Sequence, residues 1–387
     1  MLRVVYVSSY SPRQCGIATF TEDLTQSIDK LKVLEPSAII GINDPGSSYN
    51  YGKEVLWRID EDIITSYEKA ADNINSSDFD LVNVQHEFGL FGGTWGEYLL
   101  VFLERLNKPV VTTMHTTLFP DANIFDTQES KNAHNRVVRG IGRASYAITV
   151  MTNMAAKILR ESYGVDKDEI KVIPHGSPTF PSVPSEPAKK DLGLEGRTIL
   201  STFGLISRDK GIENAIKALP EIVKEHPDLL YLIIGVTHPQ VRMNEGEKYR
   251  NRLLRLVNRL NLSDNVRFHN RFLSKEELIK YLQATDVYIC PYLKKEQLSS
   301  GTVTYALVAG KPIISTPFYY AEELLAEDRG ILCRFNSPSS ITEGIKELLD
   351  NPKRKAHIEN LAYEHGKNMT WPHVASQYTD LFKELTK

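Results

Sequence analysis

The sequence predicts an α/β protein built from two consecutive doubly wound domains. Three observations carry this. Short β-branched apolar runs alternate with longer amphipathic stretches, the pattern of parallel sheets covered on both faces. The alternation breaks once, over a proline-rich stretch, and then restarts. The chain has 387 residues, long for one ordinary domain and comfortable for two.

In chain order, Arg3–Val7 reads as a first buried strand and Thr19–Leu31 as a helix, with Phe20, Leu24 and Ile28 on one face. Leu81–Gln85 and Pro109–Met114 read as strands around a helix at Glu97–Leu106. Ser145–Val150 and Ile170–Ile173 follow, around a helix at Met154–Glu161. These make the first domain, residues 1–176. Residues 177–196 carry Pro178, Pro181, Pro184 and Pro187 without periodicity and read as a linker. In the second domain, residues 197–368, strands are expected at Thr198–Phe203, Leu229–Gly235, Val266–Phe268, Val287–Cys290, Pro312–Ser315 and Gly330–Cys333. Helices are expected at Ile212–Glu225, Lys248–Leu260, Lys275–Thr285, Val303–Val308 and Ile341–Leu349. In each domain ligands should bind outside the carboxyl ends of the strands, so the facing edges are expected to form one cleft.

Composition is that of a soluble globular chain, 41% hydrophobic and 25% charged, and the net charge of -3 marks neither a nucleic-acid binder nor a strongly membrane-attracted protein. No apolar run approaches the ~20 residues of a membrane span. Cys15, Cys290 and Cys333 are too few and too scattered for a disulfide framework or a paired-cysteine metal site, which suits a reducing cytoplasm.

Several segments carry chemistry. Gly204-Leu205-Ile206-Ser207-Arg208-Asp209-Lys210-Gly211 joins a strand to a helix and offers a guanidinium, an ammonium and free helix N–H groups to an anion. The alternative is a solvated loop whose charges aid solubility. Leu298-Ser299-Ser300-Gly301-Thr302 precedes a helix and suits a diphosphate, although every helix wants such a cap. Both loops fall at strand ends of one sheet. His115 ends a first-domain strand, where an imidazole can meet a sugar hydroxyl or serve only structure. His86 invites the same weighing, and His175 reads as structural. Phe88–Gly96 is a glycine-rich aromatic loop, either a sugar-stacking flap or a surface loop pinned by its own rings. Asp78-Phe79-Asp80 has the Asp-x-Asp metal spacing but leads into a strand, away from the expected cleft. The basic helix face Lys248, Arg252, Arg255 and Arg259 reads as solvated.

Taken together, Tyr10–Ala18, Thr113–Thr116, Val172–Gly176, Gly204–Gly211, Ala284–Tyr288 and Ala309–Ile314 resemble the GT-B glycosyltransferases, specifically retaining family four. The resemblance covers essentially the whole chain. It implies two doubly wound Rossmann-like domains facing across a cleft. The N-terminal one would hold a saccharide or glycoconjugate acceptor, with the loop at Cys15-Gly16 near the reaction centre. The C-terminal one would hold a GDP- or UDP-sugar donor, with no metal or cofactor. Lys210 looks like the family's phosphate lysine, and His115 like the histidine touching the donor sugar. Residues 369–387 are similar to the helix that returns to the N-terminal domain. The chain departs where the family has an arginine, at Leu205, for which Arg208 would substitute. It departs again at the paired glutamates spaced E-x7-E, which fall on Gln297 and Tyr305.

The expected activity is therefore metal-independent, retaining sugar transfer, with His115 and Gln297 at the chemistry. Gly16, Arg208, Lys210, Ser299, Ser300, Gly301, Thr302 and Tyr305 would hold the donor. A glycoside phosphorylase of the same fold, using inorganic phosphate or sugar 1-phosphate, is the alternative that loss of a ribose glutamate would suit. A non-catalytic carbohydrate-binding relic is the third. No nucleic-acid partner is expected, and membrane contact would be peripheral at most.

Overall fold

The computed structural model describes residues 1–181 and 184–387. The chain divides into two compact units, one of Met1–Gly176 with Trp371–Lys387 and one of Ser177–Thr370.

The first unit holds a seven-stranded sheet of β1 (Val4–Ser8), β2 (Ala38–Asn43), β3 (Val55–Asp60), β4 (Leu81–His86), β5 (Val110–Met114), β6 (Ala147–Val150) and β7 (Ile170–Val172). The order is β3-β2-β1-β4-β5-β6-β7, with every pairing parallel. β1, β2, β4, β5 and β6 are buried throughout, as a sheet covered by helices on both faces requires. β2 and β3 add to the strands expected from sequence. β3 is an edge strand, half-exposed and carrying Trp57 and Arg58, so its apolar signal is diluted. The helices Ile64–Asn75 and Gln128–Ala144 are likewise additions. The last helix, Trp371–Leu385, lies within the expected segment 369–387 and packs inside this unit. Its Tyr378 hydroxyl meets Thr113 Oγ1 at 3.0 Å and Thr149 Oγ1 at 3.1 Å, and Phe382 lies against Tyr6.

The second unit holds six parallel strands: β8 (Thr198–Phe203), β9 (Leu229–Ile234), β10 (Val266–His269), β11 (Val287–Cys290), β12 (Ile313–Ser315) and β13 (Ile331–Leu332). Each coincides with a predicted strand to within two residues. The order β10-β9-β8-β11-β12-β13 reverses direction between β8 and β11. In the first unit the reversal falls between β1 and β4. A doubly wound sheet opens a crevice at this point, outside the carboxyl ends of the two strands.

The stretch expected to be an unstructured linker is more ordered than that. Ser177 N–H donates to the Met369 carbonyl at 2.9 Å, and Glu186–Asp191 forms a short helix. Lys189, 5% exposed, pairs with Asp286 at 2.8 Å. A buried ion pair gives this helix a fixed seat that a count of prolines does not reveal. Ser182 and Val183 lie outside the described residues. Among the described residues no helix is long and apolar enough to cross a membrane.

Candidate functional site

In the second unit, the crevice residues come from the loop after β8 and the segment after β11. Gly204 follows β8 with φ +126°, a conformation few side chains tolerate, and a Cβ there would lie 3.2 Å from Thr302 Cγ2. Gly211 has φ +59°, and a Cβ there would stand 2.2 Å from the Pro291 carbonyl oxygen. The two segments are also tied by Leu293 N–H donating to the Asp209 carbonyl at 2.8 Å.

Lys210 is half-buried between them, its Nζ 3.8 Å from the centroid of the Tyr292 ring. Burial alone would lower the ammonium's pKa, but Tyr292 and Asp209 outweigh it and hold the pKa above the ordinary lysine value. The Tyr292 hydroxyl lies 3.0 Å from Thr302 Oγ1, which lies 3.1 Å from Ser300 Oγ. Ser300 caps the helix Gly301–Val308, its Oγ accepting from Val303 N–H at 3.4 Å. The structure thus brings Lys210, Ser300, Gly301 and Thr302 to one end of the sheet. An ammonium and a helix N-terminus there supply two positive elements for an anion.

Other expected donor residues are placed differently. Arg208 is exposed, and its guanidinium is taken by Glu245 at 2.9 and 3.1 Å. Gln297 spends its side-chain NH2 on the Ser299 carbonyl at 2.8 Å, bracing the turn before the cap. Tyr305 is only 9% exposed and packs against Phe203 with ring centroids 6.3 Å apart. Tyr292 carries no motif of its own and was missed from sequence. Its position one residue beyond Pro291, at the end of β11, is the one signal that marks it.

In the first unit, the switch point is lined by the segment after β1 and by Glu87 after β4. Cys15 caps the helix Gly16–Leu31, its Sγ accepting from Ala18 N–H at 3.3 Å. A Cβ on Gly16 would meet nothing within 4 Å, so packing does not demand glycine there. Glu87 accepts from Thr116 Oγ1 at 2.6 Å and from Phe88 N–H at 3.0 Å, and burial raises its pKa. His115 lies one strand further on. It is buried, its Nε2 lies 2.8 Å from Gln85 Oε1, and its ring meets Phe20 edge-on at 4.6 Å. Burial, with His175 and His86 nearby, holds its pKa well below 6.5, so the imidazole is neutral at physiological pH. His175 flanks the same Phe20 ring at 5.1 Å.

The aromatic loop is pinned rather than open. Phe88, Leu90 and Phe91 are buried, and Trp95 Nε1 donates to Ser130 Oγ at 2.7 Å. His86 is fully buried and stacked on Phe91. Asp78 and Asp80 hold Arg3 at the opposite edge of the sheet, where β1 and β4 begin. The basic helix face is solvated, with Arg252 paired to Glu213.

Two parallel-sheet units with Rossmann-like strand orders are the architecture that the GT-B glycosyltransferases share. HepE of Anabaena, solved in complex with UDP, superposes with a TM-score of 0.75 over 99% of this chain and 100% of that one, at 14% identity. The model for Glycosyltransferase Family 4 matches residues 48–179, and the model for Glycosyl transferases group 1 matches residues 185–365. An uncharacterised glycosyltransferase of Methanocaldococcus jannaschii is 25% identical over 319 residues, 81% of this chain and 77% of that protein. A D-inositol 3-phosphate glycosyltransferase of Corynebacterium aurimucosum is 24% identical over 288 residues, 71% of this chain and 66% of that protein, just under two thirds of its length. This chain belongs to the group 1 glycosyltransferases of the GT-B fold, and it is a glycosyltransferase.

Proposed function

We propose that the protein transfers a sugar from a nucleotide-sugar, GDP- or UDP-linked, to a saccharide or saccharide-like acceptor, with retention of configuration and without a metal. The observation that carries this is the convergence of Lys210 with the helix end at Ser300–Thr302, at the switch point of the second unit. The departing diphosphate carries negative charge, and a lysine with preorganised helix N–H groups stabilises that charge as it develops. The UDP held by HepE supports a uridine nucleotide among the candidates. In the first unit, Gly16 leaves open space beside the segment after β1, and neutral His115 suits a hydrogen bond to a sugar hydroxyl. We further propose a cytoplasmic location and residues 1–176, 197–368 and 369–387 as the functional segments.

A thermal-shift series with UDP, GDP, UDP-glucose and GDP-mannose, followed by nucleotide release from any stabilising sugar-nucleotide, tests the reading. A ligand that binds the folded state raises the midpoint, by ~2.7 kcal/mol of stability at a hundredfold excess over Kd. No stabilisation by any nucleotide would overturn it.

The burial of Tyr305 favours a second reading, phosphorolysis. A side chain packed on Phe203 in place of a ribose-binding glutamate leaves the phosphate elements intact while removing a nucleoside contact. Formation of sugar 1-phosphate from disaccharides and inorganic phosphate, with no nucleotide turned over, would select it.

A further inference from the structure

Tyr292 touches both phosphate elements and is itself held rigidly. It is 1% exposed, its ring stacks on Phe318 with centroids 5.2 Å apart and planes 20° apart, and its carbonyl accepts from Thr316 Oγ1 at 2.6 Å. From this fixed seat the ring meets the Lys210 ammonium at 3.8 Å and the hydroxyl meets Thr302 at 3.0 Å. A lysine has several rotatable bonds, and ordering it costs entropy at the moment a ligand binds unless something has already restricted it. An aromatic face attracts an ammonium, the more so where water is scarce.

We propose that Tyr292 is a positioning residue for the donor diphosphate: it holds Lys210 in the crevice and joins that lysine to the helix end that shares the anion. The proposal rests on the donor reading above. The tyrosine acts through Lys210 and Thr302, the two groups it touches. The diphosphate then meets an ammonium that stays against the ring, with little ordering left to do.

The test is a double-mutant cycle on UDP and GDP affinity, measured by calorimetry for the native protein, Tyr292→Leu, Lys210→Met and the pair. Losing the pre-ordering of one lysine side chain predicts a loss of up to roughly tenfold for Tyr292→Leu. If Tyr292 acts mainly through Lys210, most of that loss disappears in the Lys210→Met background, whereas a merely structural role leaves it unchanged. Tyr292→Phe, which keeps the ring and creates no cavity, should retain the coupling to Lys210. Should Tyr292→Leu fail to fold, the native protein still answers by NMR. One lysine ε-methylene resonance, absent in Lys210→Met, should lie upfield through the ring current and remain upfield on adding UDP or GDP. Independent losses in the cycle, or no upfield lysine signal, overturn the role of Tyr292 while leaving the donor reading standing. Failure of both nucleotides to bind the native protein overturns the donor reading, and this role with it.

Discussion

Gln85 Oε1 lies 2.8 Å from His115 Nε2, and the orientation of the glutamine decides which partner donates. The Gln85 NH2 is directed at Asn83 Oδ1, 2.5 Å away, and Thr113 Oγ1, 3.3 Å away, so its carbonyl oxygen faces the histidine. His115 therefore carries its proton on Nε2 and keeps Nδ1 as an acceptor. Gln85→Leu should release this constraint and lower kcat about tenfold, as expected for a misplaced hydrogen-bonding group. His115→Ala should cost at least as much. Native kcat in a folded Gln85→Leu protein would show that the tautomer is irrelevant.

Lys210→Ala removes one of the two positive elements at the second unit's switch point. A charge-assisted contact of about 1.5–3 kcal/mol predicts a tenfold to hundredfold loss in nucleotide affinity. The fold should survive, because the ammonium is half-buried and fills no sealed core position. Unchanged affinity by calorimetry would remove Lys210 from the site.

Gln297→Ala should lower turnover more than it lowers the unfolding midpoint, since the side chain braces only the turn before the helix cap. Restoring glutamate at position 305 is a different matter. Tyr305→Glu would place a carboxylate where a ring now packs on Phe203, and burying that charge should destabilise the unit by several kcal/mol. Denaturant titration of the variant checks this. A gain in sugar-nucleotide turnover on restoring glutamate at positions 297 and 305 together would instead mark the present residues as decay.

Tyr378→Phe removes the hydroxyl shared by Thr113 and Thr149 and leaves the two buried threonine hydroxyls with each other, at 2.8 Å, and Thr113 with the Gln85 NH2, at 3.3 Å. The expected cost is about 1–2 kcal/mol of first-unit stability. A midpoint equal to the native one would show that the threonine pair suffices.

Acid should weaken the fold as the pH falls below the ordinary histidine value. Burial holds the His86 pKa at about 3 and the His175 pKa at about 4. In the unfolded chain both return to about 6.5, so below that pH the unfolded state binds more protons than the native one. Their stabilisation is full above pH 6.5 and declines as pH falls toward 4. Thermal midpoints measured across pH 7.5 to 5 should fall, and His86→Phe should flatten the slope.

The strands of the second unit were legible because each is a compact apolar run bounded by turn residues, but its helices Pro239–Glu245, Tyr319–Leu324 and Pro352–Gly366 were not. In the first unit, β3 escaped because an edge strand alternates and tolerates Arg58 on its solvent side. The placement of Lys210 and Ser300 at one end of the sheet was readable from residue type and helix position. Arg208 was not, since its partner Glu245 stands 37 residues away and nothing local announces the pairing. Tyr292 became visible through strand order alone, which sets the end of β11 beside the loop after β8.

The first unit is not contiguous in the chain, and this orders the events of its synthesis. Trp371, Tyr378 and Phe382 complete a core whose other members, Phe20, Thr113 and Tyr6, leave the ribosome more than 250 residues earlier. The second unit, wholly enclosed between the two pieces, can close its sheet while the first still waits. Until Trp371 emerges, the nascent first unit exposes an apolar face, the surface that chaperones recognise and that associates wrongly between neighbouring chains.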